Sequence, residues 1–287
     1  MATYKEIIGT NVESRSSDPS NPVEGQVWYN STSGALKGAS VSTAGAWSSG
    51  GNMNTARVNS GAAGIKTSGL VFGGKLPPST GITESYDGTS WTEVADLNTV
   101  REGLCGSGIS NTSALAFGGI TYPGATVRAL AESWDGSSWT EVGDLNTGRQ
   151  LLTGGGTQTS TLTFGGWSPY QAVTESWNGS SWTEVGDLNM ARYYHAGCSV
   201  ANTEGLAFGG IDQPGGSVVA NTEQYNGSSW TEVADLNSNR YALSGFGSAT
   251  SALAFGAEPA SALTELWNGS SWTEVADLST GRFELMG

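Results

Sequence analysis

The sequence predicts an all-β fold, a six-bladed β-propeller of four-stranded antiparallel blades. Three observations carry this. Trp47, Trp91, Trp139, Trp182, Trp230 and Trp272 each precede an arginine by ten residues: Arg57, Arg101, Arg149, Arg192, Arg240 and Arg282. The tryptophans recur every 42 to 48 residues with nearly copied text between them, a period that signals a solenoid, propeller or array. The chain is rich in glycine (43 of 287 residues) and β-branched residues, carries regular turn signals and shows no sustained helical period.

One repeat, Arg101 to Asn146, reads as four strands, a to d from the axis outward. Strand a follows the arginine and is built from small residues, Cys105-Gly106-Ser107-Gly108. Innermost strands converge, so bulky side chains would collide there, and glycine marks close backbone approach. Five residues after the arginine stand Gly106, Gly154, Gly197, Gly245 and Gly287, with Ala62 the exception. Strand b ends on Phe72, Phe117, Phe164, Phe208 or Phe255, followed by a glycine pair in all copies but the last. Strands c and d are joined by Asp-Gly or Asn-Gly, whose tolerance of positive φ makes them strong hairpin signals. An aromatic five residues before each later tryptophan (Tyr86, Trp134, Trp177, Tyr225, Trp267) is placed to pair across that hairpin. The twelve tryptophans and arginines are therefore read as structural.

Five repeats are complete, and the sixth is expected to combine both chain ends. Trp28 precedes Trp47 by 19 residues, within the range of 17 to 22 found between the strand-b aromatic and its tryptophan elsewhere. Gln26–Asn30 would then be strand b, Leu36–Ser40 strand c and Ala46–Ser49 strand d. Phe283–Gly287 would supply strand a. A five-bladed ring with a separate N-terminal hairpin is the alternative. On this division residues 1–25 are an arm or docking segment and 26–287 the propeller.

These motifs, an apolar run ending in Gly-Gly, then Tyr or Trp, then a Trp at fixed distance, resemble the kelch repeat over about Gln26 to Gly287. The resemblance implies a β-propeller. The segment EGQVWYNSTSGALKG, from Glu24, is similar to segments of bacteriophage tail-fibre and other virion proteins, marine phages especially. That likeness implies a virion location, with Met1–Glu24 docking on another virion protein or a sister subunit.

Composition narrows the function. A net charge of −14 disfavours nucleic acid and anionic membrane surfaces. No run of 18 apolar residues is present, and the N-terminus lacks the apolar core of a secretory signal. Cys105 and Cys198 fall in different blades and are expected to be free thiols. His195 is the only histidine. It is read as a packed or channel-lining side chain, since no metal cluster or GxSxG elbow accompanies it. Galactose oxidase is a kelch-propeller enzyme whose copper site needs histidines, tyrosines and a cysteine cross-linked to tyrosine; this chain cannot assemble that set. The acid pairs Glu93/Asp96, Glu141/Asp144, Glu184/Asp187, Glu232/Asp235 and Glu274/Asp277 recur in every full blade, so a structural role is favoured over catalysis or calcium. The Asp is expected to cap its turn and to pair with the arginine of the next blade.

The loops between strands b and c differ in every copy, whereas the d–a connectors are near copies of DLNTGR, and both fall on one face. Variable loops on a rigid scaffold carry specificity, which makes Tyr122, Trp167, Tyr170 and Asp212 the candidate binding residues. The expectation is a non-enzymatic structural or adhesive module without cofactor, contacting a host glycan or surface protein. A cellular kelch adaptor for a protein partner is the alternative.

Overall fold

In the computed structural model, residues 13–17, 27–32, 35–38, 46–168 and 171–284 are described. The chain divides into two compact units, Met1–Ala46 and Trp47–Gly287.

The second unit is a β-propeller with five four-stranded blades among the described residues. Blade 1 comprises Gly61–Ile65, Ser68–Phe72, Thr83–Tyr86 and Trp91–Val94. Blade 2 comprises Cys105–Ser110, Ser113–Phe117, Ala131–Trp134 and Trp139–Glu141. Blade 3 is Thr153–Thr157, Ser160–Phe164, Thr174–Trp177 and Trp182–Glu184. Blade 4 is Ala196–Cys198, Gly205–Phe208, Thr222–Tyr225 and Trp230–Val233. Blade 5 is Ser244–Ser248, Ser251–Phe255, Thr264–Trp267 and Trp272–Glu274. Each pairs antiparallel in the order a-b-c-d, and Tyr86, Trp134, Trp177, Tyr225 and Trp267 stand directly opposite their tryptophans.

The core lies between blades. The strand-b phenylalanine of one blade meets the strand-d tryptophan of the next: Phe72–Trp139, Phe117–Trp182, Phe164–Trp230 and Phe208–Trp272, with centroids 4.8 to 5.2 Å apart. Tilted and edge-on contacts of this kind suit the aromatic quadrupole. Trp47 meets Phe255 in the same manner, at 5.1 Å. The inner glycines are needed where expected: a Cβ on Gly106 would lie 2.3 Å from the Ala62 carbonyl oxygen of the adjoining blade.

The DLNxxR connector acts as a buckle. Asp96 holds the blade behind, accepting the Thr83 backbone N–H, while Leu97 is buried. Asn98 and Arg101 reach the blade ahead. Glu132 accepts the Asn98 backbone and side-chain N–H groups at 2.7 and 3.0 Å, and pairs with Arg101 at 2.9 Å. Arg57–Glu84, Arg149–Glu175, Arg192–Glu223 and Arg240–Glu265 repeat the pair. Both partners are buried in each. The arginine's partner is thus the strand-c glutamate, not the connector aspartate expected from spacing; Asp96, Asp144, Asp187, Asp235 and Asp277 cap backbone N–H groups of their own blade.

The six-blade expectation is corrected to five. Trp47–Ser49 form no strand, nor do Phe283 and Glu284, and residues 285–287 lie outside the described residues, as do Gln26, Ala39 and Ser40. The first unit holds a sheet of its own. Val27–Asn30 pairs antiparallel with Ala35–Gly38, and its other edge is taken by Glu13–Arg15 in parallel, the place assigned to a C-terminal strand. A physical reason is visible in the sequence. Every full blade has the buried glutamate seven residues before its tryptophan, and Ser40 stands there before Trp47.

Candidate functional site

The face carrying the b–c loops and the buckles is built in two concentric rings. The residue after each arginine pairs with the start of a b–c loop: Val58 with Lys75, Glu102 with Ile120, Gln150 with Trp167, and Tyr193 with Ile211. Two of these contacts extend into short ribbons, Ile120–Thr121 with Thr126–Val127 and Arg192–Tyr193 with Ile211–Asp212.

One residue further on, the backbone turns left-handed. Asn59, Gly103, Leu151, Tyr194, Ala242 and Glu284 have φ between 51° and 62°. Such conformations cost about 1–3 kcal/mol for a non-glycine residue and persist only where surroundings enforce them. Here the enforcement is a set of bonds between neighbouring turns: Gly103 N–H to Asn59, Leu151 to Gly103, Ala242 to Tyr194 and Glu284 to Ala242, at 2.8 to 2.9 Å. These six residues line an axial cavity of about 130 Å³.

Four half-buried rings gather beside its mouth. Trp167 meets Tyr193 at 4.8 Å, Tyr193 meets Tyr194 at 5.4 Å, and Tyr194 meets Tyr241 at 6.3 Å. Carboxylates stand near them. The Glu258 backbone N–H donates to the Tyr241 carbonyl at 3.0 Å. Burial raises the Tyr194 pKa, and Glu284 and Glu102 add to the shift. Glu284 is itself raised, by burial first, with Glu258 and Glu102 repelling its charge and Lys75 opposing them.

Trp167 is therefore joined to the tyrosine run. Asp212 lies across the ribbon from Arg192, and its carboxylate accepts the Ser217 backbone N–H to hold its own loop. Tyr122 is exposed in the turn that closes the blade 2 ribbon, and Tyr170 lies outside the described residues. Tyr193, Tyr194 and Tyr241 were missed by sequence reasoning. Their signal was the aromatic text directly after two repeat arginines, RYYHAG and RYALSG.

Neither a protein-family model nor a curated protein matches the chain significantly.

His195 is among the residues lining the axial cavity, but its side chain is buried rather than offered to the opening. Its ring packs against Gly165 and 5.8 Å from Phe164, the place that Leu104, Leu152 and Leu243 fill in other blades. Burial pushes its pKa down to about 3, helped by the Arg192 guanidinium. Cys105 and Cys198 are free, and burial raises both thiols, Cys105 to about 12. Among the described residues no group of three or more metal-ligating side chains gathers. Glu93, Glu141, Glu184, Glu232 and Glu274 are exposed.

The opposite end of the axis opens into an apolar cavity of about 730 Å³. Ile65, Ile109, Val200 and Phe246, all exposed, stand around it. Ile65, Ile109 and Phe246 belong to inner strands and Val200 follows one, and no b–c loop residue lines this cavity.

Proposed function

We propose that this chain is a non-enzymatic adhesive module, a kelch-type propeller that serves as a phage virion or tail-fibre component and contacts a glycan on the host surface. The observation that carries the reading is the contrast on one face: five near-identical buckles beneath five b–c loops of different length and content, with a run of partly exposed aromatic rings among them. A rigid frame with interchangeable loops suits recognition, because little ordering entropy is lost on binding. The first 24 residues would attach the ring to another virion protein.

The test has two arms. Labelled full-length chain is applied to a panel of bacterial surface glycans and used as bait against host-surface proteins. Glycan binding without a protein partner supports the reading. One protein partner and no glycan favours the adaptor. Imaging of phage particles decorated with antibody against the chain tests the virion location; unlabelled particles, with the protein confined to host cytoplasm, overturn it.

A further inference from the structure

We infer that the axial mouth beside Trp167, Tyr193, Tyr194 and Tyr241 is a carbohydrate subsite, and that it takes pyranose rings free of acidic groups. This deepens the adhesive reading above and rests on it.

The faces of a pyranose present C–H groups and its rim presents hydroxyls. A matching site needs flat apolar surface flanked by hydrogen-bonding groups, which aromatic side chains with polar tips provide. The run Trp167–Tyr193–Tyr194–Tyr241 is the aromatic cluster of this face, and its phenol oxygens add donors and acceptors.

The rings are pre-positioned. Tyr193 stands on a strand ribbon paired with Ile211–Asp212. Tyr194 occupies a left-handed turn held by the bond from the Ala242 N–H to its carbonyl, at 2.8 Å. Tyr241 is fixed by its carbonyl, which accepts the Glu258 N–H. Aromatic surface already held in place binds at small entropic cost. Tyr193, Tyr194 and Tyr241 stand apart from the phenylalanine–tryptophan contacts of the core.

Charge sets which sugar is accepted. Glu284 lines the axial cavity, and Glu258 and Glu102, the latter buried and accepting the Ser79 hydroxyl, lie near enough to repel its charge; Lys75 opposes them there. A sialic acid or uronate would bring a further carboxylate into this field and be repelled, whereas a neutral or amine-bearing ring would not. The net charge of −14 extends the same bias to the approach.

The experiment uses the full chain and three probe sets: neutral hexose oligosaccharides, amino-sugar oligosaccharides, and sialylated or uronate glycans. Binding is followed by intrinsic fluorescence and by array signal. Neutral or amino sugars are expected to bind, and Tyr193→Ala and Tyr241→Ala each to weaken binding by about tenfold or more. Tyr193→Phe, which keeps the ring, should stay within about threefold of the parent. Unfolding midpoints within about 2 °C of the parent show that the loss is local. Glu284→Gln should ease the exclusion of acidic glycans. If neutral or amino sugars bind and both alanine variants bind as the parent does, the subsite is elsewhere while the adhesive reading stands. If only acidic glycans bind, the ligand class is wrong. If no glycan in any set binds, the adhesive reading fails and the subsite with it.

Discussion

His195→Leu is expected to stabilise the ring, and to do so more strongly in acid. The side chain is 4% exposed; neither ring nitrogen makes a hydrogen bond of normal geometry, and the nearby Phe164 backbone offsets only part of the burial. Leu104, Leu152 and Leu243 hold the same place three residues after their arginines, each against the first glycine of a Gly pair. Leucine therefore fits the local geometry, and replacing the imidazole removes an orphaned polar group worth about 1–3 kcal/mol. Near neutral pH the gain should be about 1–2 kcal/mol. The sign of the pH effect follows from the depressed pKa. The unfolded chain takes up a proton below the ordinary value of 6.5, whereas the folded ring refuses it until about pH 3. The parent's stability is thus full above 6.5 and falls as the pH drops through that window, by about 1.4 kcal/mol per unit. At about pH 5 this amounts to roughly 2 kcal/mol, which leucine does not lose, so the gap should widen to about 3–4 kcal/mol. Urea unfolding followed by tryptophan fluorescence at both pH values measures it. A variant less stable than the parent near neutrality, or a gap that stays constant in acid, would refute this reasoning.

Ala131→Thr should also stabilise. Trp139, Trp230 and Trp272 donate their indole N–H to Thr83, Thr174 and Thr222, whereas Trp182 faces Ala131 and its Nε1 has no partner. Restoring the hydroxyl should raise unfolding free energy by about 1 kcal/mol, and no gain would mean that Thr does not fit. Glu132→Ala strands the buried Arg101 guanidinium and should cost about 3–5 kcal/mol in urea titrations; a loss under about 1 kcal/mol would show that the pair is not buried as described. Cys105 and Cys198 should stay unmodified by an aromatic disulfide reagent at about pH 8 in the folded protein and react once urea unfolds it, because burial keeps them as thiols. Rapid native labelling of Cys198 would contradict its burial.

Much of the frame was legible because it obeys short-range rules. The Trp–Arg offset, the Asp-Gly and Asn-Gly hairpins and the inner glycines follow from local sterics, and each stands where the repeat puts it. The arginine's partner was not legible. Three acidic series recur with the same period, and burial rather than spacing decides which one meets the guanidinium: Glu132 is buried, whereas Glu141 and Asp144 are exposed. The sixth blade was overread because the 19-residue spacing of Trp28 and Trp47 is a weak constraint beside the missing glutamate at Ser40. At the candidate site, Trp167 was visible as a loop aromatic. Tyr193 and Tyr194 stood in plain text after Arg192, but their place at the cavity depends on a left-handed turn at Tyr194 that no residue type announces.

The buckles divide the molecule's tolerance to change unevenly. Each reaches its glutamate from the chain arriving out of the preceding blade, so no sheet owns all the bonds that secure it. The b–c spans carry no such shared debt: lengthening or rewriting one leaves every Arg–Glu couple intact. Sequence novelty can therefore accumulate on the outward turns, and a new surface could be met by trading loops one at a time on an unaltered chassis.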